Sequence, residues 1–202
     1  MTIGRGTTWG VEGALPAGAP TVSSDAELHA LVVAHLGSGE PLPVIGLRGG
    51  GLWRTVGGAG APARLGTPHA MHLPVDVIEA DLDDRRTWFV STLVAHDVAR
   101  RRWVVALNGQ FVGTRQLGPR AHPGDGLLDV YQGALAPGEL IEVLRRARNG
   151  AHLPHPHITG RRSSGVELHL DRRHAVRLDG VSAGHATRLA MRVLPDALTV
   201  VV

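Results

Sequence analysis

Arg48-Gly49-Gly50-Gly51 closes an apolar run from Pro43 to Leu47. Glycines at the end of a strand let backbone amides approach an anion such as a phosphate; a flexible turn is the plainer reading of the same run. The stretch Asn108 to Val130 carries five glycines and two prolines. It reads as strand, glycine-rich bend, extended loop, tight Asp125-Gly126 turn, strand. A loop so specified carries a site or fixes how two sheets meet. His152, His155 and His157 alternate with prolines, which would extend the chain and put histidines on one side for a transition metal such as zinc. No carboxylate lies near them in sequence, and among twelve histidines a local cluster is unsurprising. Arg100-Arg101-Arg102, Arg161-Arg162 and Arg172-Arg173 suit a phosphate or a lipid headgroup, or else solvated turns that guard sheet edges.

Composition limits the chemistry. The 202 residues contain no cysteine and no lysine, so disulfides, thiolate nucleophiles, a Schiff-base lysine and the lysine of a Walker-type loop are all absent. Aromatic residues make up 3%, so the core must rest on Val, Leu and Ala. A formal net charge of +3 is a weak case for nucleic acid. No apolar run approaches membrane-spanning length, and the first ten residues lack the apolar centre of a signal peptide. The default expectation is a cytoplasmic protein that is not integral to a membrane.

The elements that must position these residues change character along the chain. A strand is expected around Thr7 to Val11. Ser24-Asp25-Ala26-Glu27 is a capping box, followed by Leu28, Leu31, Val32 and His35 at helical spacing, with Gly37 as the expected stop. Helix, strand and glycine loop together make half of an α/β nucleotide-binding unit. Residues 57–74 read as a connector, which sets a boundary between an abridged α/β segment, 1–74, and a β-domain, 75–202. Beyond it the expected strands are Val75–Ala80, Thr87–His96, Arg102–Val112, Leu127–Ala134, Val166–Leu170, Ala175–Leu178, Arg188–Val193 and Leu198–Val202. Val166 to Leu170 alternates, so Glu167 and His169 should face water. One helix interrupts the strands, with Leu140, Val143, Leu144 and Ala147 as its apolar stripe and Gly150 as its stop. The fold class is α+β, mainly β, a two-layer β-sandwich with a small α/β remnant.

Taken in order, these motifs resemble the β-domain of the diacylglycerol kinase-type lipid kinases, including the bacterial and sphingosine kinase-like members. Asn108-Gly109 with Gly113 looks like the family's "NG…G" bend. Pro119, Ala121 and Asp125-Gly126-Leu127-Leu128-Asp129-Val130 look like its "P-x-A…DG-x-L-D-V" segment. The helix around Glu139–Arg148, then Gly150 and His152, look like its helix and "G-x-H" loop. Asp179-Gly180 looks like the start of its "DGE", and Leu194 to Leu198 like its closing strand. The resemblance covers residues 75–202 and implies the β-sandwich shared with NAD-kinase-like C-terminal domains.

The same resemblance implies an ATP-dependent kinase, with a "GGDGT" loop and the "DGE" glutamate supplying metal binding and the base. Here Gly51, after Gly49 and Gly50, stands where the loop's aspartate would be, and Val181, after Asp179 and Gly180, where the glutamate would be. Phosphoryl transfer is mostly positioning plus charge neutralisation, and two lost acids remove the metal anchor and the base together. The reading is a non-catalytic binding or scaffolding member, with ATP not expected, that self-associates or serves a partner protein and takes a lipid or other small ligand. The alternative is an active lipid kinase whose acids come from Asp76, Asp81, Asp83 and Asp84 or from another subunit. The resemblance also implies a structural Mg²⁺ or Ca²⁺ at the Asp125 side chain and the main-chain carbonyls of His122 and Leu127; the competing reading is that Asp125 caps its own turn.

Overall fold

The computed structural model describes residues 9–58, 62–99 and 101–202, with the side chains of 62 and 63 set aside. In chain order the strands and helices are β1 (Val11–Glu12), β2 (Thr21–Val22), α1 (Asp25–Ser38), β3 (Ile45–Leu47), α2 (Gly50–Thr55), β4 (Met71–Leu82), β5 (Arg85–Phe89), β6 (Thr92–His96) and β7 (Arg102–Leu107). There follow β8 (Phe111–Val112), β9 (Arg115–Gln116), β10 (Leu128–Ala134), α3 (Pro137–Arg146), β11 (Ile158–Ser163), β12 (Gly165–Leu178) and β13 (Val181–Val201). The principal sheet runs β1-β4-β13-β12-β6-β7-β10-β11, with β5 beside β4 and β3 beside β13. Thr7, Thr8 and Arg100, named above, lie outside the described residues.

β4, β12 and β13 are long enough to serve two layers. One core joins Ile78, Phe89 and Leu189 on one side to Leu93, Ala106 and Val130 on the other, closing the sandwich. A second core packs Leu28 and Val32 of α1, Ile45 and Leu47 of β3 and Leu52 of α2 against Val75, Val77, Leu198 and Val200. The N-terminal segment thus extends the same sheet: β3 pairs in parallel with β13, Ile45 opposite Val200. β4 runs through Pro74, so residues on both sides of the expected boundary share one hydrogen-bonded strand. The mainly β class stands.

Several expected elements differ for local reasons. Thr87–His96 is two strands, β5 and β6, because the amides of Val90, Ser91 and Thr92 turn inward to a carboxylate described below. β7 stops at Leu107, where the Asn108 side chain donates to the main chain at Asp76 and Val90. The last four expected strands merge into β12 and β13, whose registers shift between His169 and His174 and between Leu194 and Leu198. β11 was not expected; its pattern is exposed except at the ends, and an edge strand with one solvated face has no alternation to betray it. α1 passes Gly37 and ends at Gly39, whose φ of 76° is the left-handed conformation that glycine adopts freely. α3 continues as a single 3-10 turn to Asn149, and Gly150 stops it in the left-handed conformation, as expected.

Candidate functional site

Ser24 caps α1 by accepting the Glu27 amide at 3.2 Å, while Glu27 Oε2 accepts the Ser23 amide at 2.7 Å. That entry geometry points Asp25 at the glycine run. Asp25 Oδ2 accepts the amide of Gly51 at 2.7 Å and Oδ1 accepts that of Leu52 at 3.0 Å. Gly50 to Thr55 form a short helix rather than an open loop, and its first free amides are held by a carboxylate of the same chain. Gly50 has a φ of 100°. A Cβ at Gly51 would lie 2.4 Å from the Phe111 carbonyl oxygen and 2.8 Å from Asp25 Oδ2, so the position has no room for any side chain. Burial pushes the Asp25 carboxyl above its ordinary range; the Leu52 and Gly51 amides pull it down and Asp179 pushes it up.

Asp179-Gly180 forms the two-residue turn between β12 and β13, with φ of 48° and 85°. The Asp179 carboxylate is buried and accepts the amides of Val90, Ser91 and Thr92, each at 2.8 Å. His29, one helical turn beyond Asp25, places Nδ1 3.5 Å from Asp179 Oδ2. The bend at Asn108-Gly109 reaches the same place: a Cβ at Gly109 would lie 3.1 Å from both Ser91 Oγ and Thr55 Oγ1. The glycine run, the Asn-Gly bend and the Asp-Gly turn, remote in sequence, are therefore neighbours. Val181, by contrast, is exposed at the start of β13. Asp25 and His29 were missed as site residues because a capping box accounts for Asp25 locally, whereas its partners lie 26 and 27 residues away.

The other acids are also engaged. Asp76 is fully buried and accepts the amides of Gly126 at 2.8 Å and Asp196 at 3.0 Å. Asp83 accepts the amides of Thr187 and Arg188, Asp84 pairs with Arg188, and Asp81 lies 3.9 Å from Arg86. At the Asp125 turn, Oδ1 accepts the Leu127 amide at 3.0 Å and Oδ2 accepts a hydrogen bond from Arg162 Nη2. Each oxygen of the implied cation ligand already carries a donor, one of them a guanidinium. A cation resting on Asp125, His122 and Leu127 would face that positive charge, so the donor set as it stands does not fit the ion.

Around α3 the chemistry is apolar. A cavity of about 200 Å³ lies between the helix and the sheet, walled by Val105, Leu107, Tyr131, Leu140, Leu144 and Ile158. His152 and Arg115 also line it, and His152 Nδ1 and Arg115 Nε are buried without hydrogen-bond partners. Burial lowers the His152 pKa, a bond to the Leu117 main chain opposes this, and nearby Arg146 and His155 add to the lowering. His157 Nδ1 meets Glu139 Oε1 at 2.7 Å, a carboxylate distant in sequence but near in space. Among the described residues no group of His, Asp and Glu side chains is arranged to hold a metal ion. Arg102 and Arg172 both approach Asp171, at 3.1 and 3.4 Å, whereas Arg162 lies with Asp125 and Asp129. Among the described residues no helix is long and apolar enough to cross a membrane.

Residues 83–202 match the family model of the YegS C-terminal NAD kinase beta sandwich-like domain, more than half of the chain. The chain belongs to that family. The chain is similar in fold to the crystal structure of a diacylglycerol kinase from Bacillus anthracis str. Sterne, with 17% identity and a TM-score of 0.56 over 79% of this chain and 66% of that one. A second structure from the same organism, named as a candidate diacylglycerol kinase, gives 14% identity and a TM-score of 0.61 over 79% and 69%. No curated protein matches the chain. The family agrees with the lipid-kinase resemblance of the motifs and with the β-sandwich expected from them.

Proposed function

We propose that this protein is a non-catalytic member of the diacylglycerol kinase-like family that binds an apolar ligand and works by binding rather than by phosphoryl transfer. The observation that carries the reading is the Asp25 carboxylate on the Gly51 and Leu52 amides. Amides at a glycine run attract a phosphate only while they are free, and here a fixed anion would repel the incoming one. Neither Gly51 nor Val181 supplies an acid, and Asp76, Asp81, Asp83 and Asp84 each serve the main chain or an arginine. The cavity under α3 supports ligand binding, since apolar walls with few polar groups are the usual form of such sites. The reading includes self-association: β11 stands at the end of the sheet and Ile141 of α3 is 69% exposed.

The test is an assay for γ-phosphate transfer from Mg-ATP to diacylglycerol and other lipid hydroxyls by the purified chain. No turnover above the protein-free control is expected; turnover overturns the reading. Light scattering should give a dimer, and a monodisperse monomer would remove the self-association.

A further inference from the structure

The turn at Gly124–Leu127 is crowded with negative charge. Asp125 sits on it, Asp129 follows at the start of β10, and the buried Asp76 ties down the Gly126 amide from below. Burial pushes the carboxyls of Asp76 and Asp129 up, and Asp125 adds to the rise at both. Such a cluster needs a cation. β11 brings one: Arg162 is directly opposite Asp129 in the antiparallel pairing with β10. Its Nη2 donates to Asp125 Oδ2, its Nε lies 3.6 Å from Asp129 Oδ1, and Nη2 also reaches the Arg120 carbonyl at 3.5 Å. One planar guanidinium thus spans two carboxylates and a main-chain oxygen. The match is incomplete, because Asp129 Oδ2 is buried with no partner.

We propose that Arg162 is a built-in cation that holds the Gly124–Leu127 turn in place of a bound metal ion, and that removing it uncovers a divalent-cation site. Without the guanidinium, Asp125 and Asp129 present two adjacent carboxylates, one with an oxygen already lacking a donor. The Arg120 carbonyl, released with them, is a third oxygen donor. Hard oxygen donors on a turn suit Ca²⁺ before Mg²⁺, whose octahedral demand is stricter. The assignment stands apart from the proposed function, because the turn lies outside both the glycine run and the cavity under α3.

The experiment is thermal unfolding of the wild type, Arg162→Gln and Arg162→Lys in chelator, in Mg²⁺ and in Ca²⁺. The wild type should melt at the same temperature in all three. Arg162→Gln should melt about 3 to 6 °C lower in chelator and recover most of that loss saturably in millimolar Ca²⁺. Adding Asp125→Asn to Arg162→Gln should abolish the recovery, and Arg162→Lys, which keeps a charge, should show none. Saturable stabilisation of the wild type by either ion would overturn the proposal. So would an Arg162→Gln variant that is as stable as the wild type or is indifferent to both ions. Should Arg162→Gln fail to fold in chelator, folding rescued by Ca²⁺ supports the proposal and folding rescued by neither ion overturns it.

Discussion

The glycine run and the space beneath α3 have opposite fates within one family framework. At the glycine run the amides of Gly51 and Leu52 meet the chain rather than solvent: Asp25 takes them, Phe111 crowds Gly51, and Asp179 is spent on the turn between β5 and β6, while His29 Nδ1, Ser91 Oγ and Asn108 Oδ1 stay buried without hydrogen-bond partners. Beneath α3 a cavity of about 200 Å³ stays apolar and unfilled by side chains. On the proposed reading, the fold keeps room for an apolar ligand while its own Asp25 occupies the amides of the glycine run.

The comparison breaks most visibly at Asp179. Replacing it with Ala strands three buried amides, and loss of stability of about 4 kcal/mol is expected by chemical denaturation. A loss below about 1 kcal/mol would mean that the turn does not depend on the carboxylate. Next is Gly51→Asp, which puts an acid where the lipid-kinase resemblance implies one. Its side chain must displace the Phe111 carbonyl or Asp25, so we expect a loss of about 2 to 3 kcal/mol and no phosphoryl transfer. A stable, active Gly51→Asp variant would show the glycine run to be one substitution from function rather than structurally closed.

On the other side of the comparison, Leu144→Trp should fill the cavity. Binding of a fluorescent fatty acid should weaken about tenfold with little change in stability. Unchanged affinity would place the ligand elsewhere. The smallest effect concerns pH. The Asp25 carboxyl is raised chiefly by burial, so its protonation favours the folded state. The stability it contributes is present in full below the unfolded carboxylate pKa, near 4, and is lost as pH rises through the higher folded value. The wild-type advantage over Asp25→Asn should therefore be larger at pH 4 than at pH 7, and the reverse order would contradict the account.

Much of the β-domain is legible because each half of the sandwich buries one face. Alternation at Val166 to Leu170 and the stripe Leu140, Val143, Leu144 and Ala147 follow directly from that burial. What escaped depends on distant partners. The break at Val90–Thr92 is set by a carboxylate more than 80 residues later, and nothing local to Ser91 announces it. The helix at Gly50–Thr55 begins with glycines, poor helix formers, and is held by Asp25 rather than by propensity. The Asp-Gly turn at Asp125 was readable as a turn, but its cation, Arg162, came from an edge strand with no periodic signature.

The most direct test of the closed glycine run is calorimetric titration of the purified protein with Mg-ATP to millimolar concentration. The account predicts heats indistinguishable from dilution. Saturable binding, weakened by a change at Gly50 or Gly51, would contradict it.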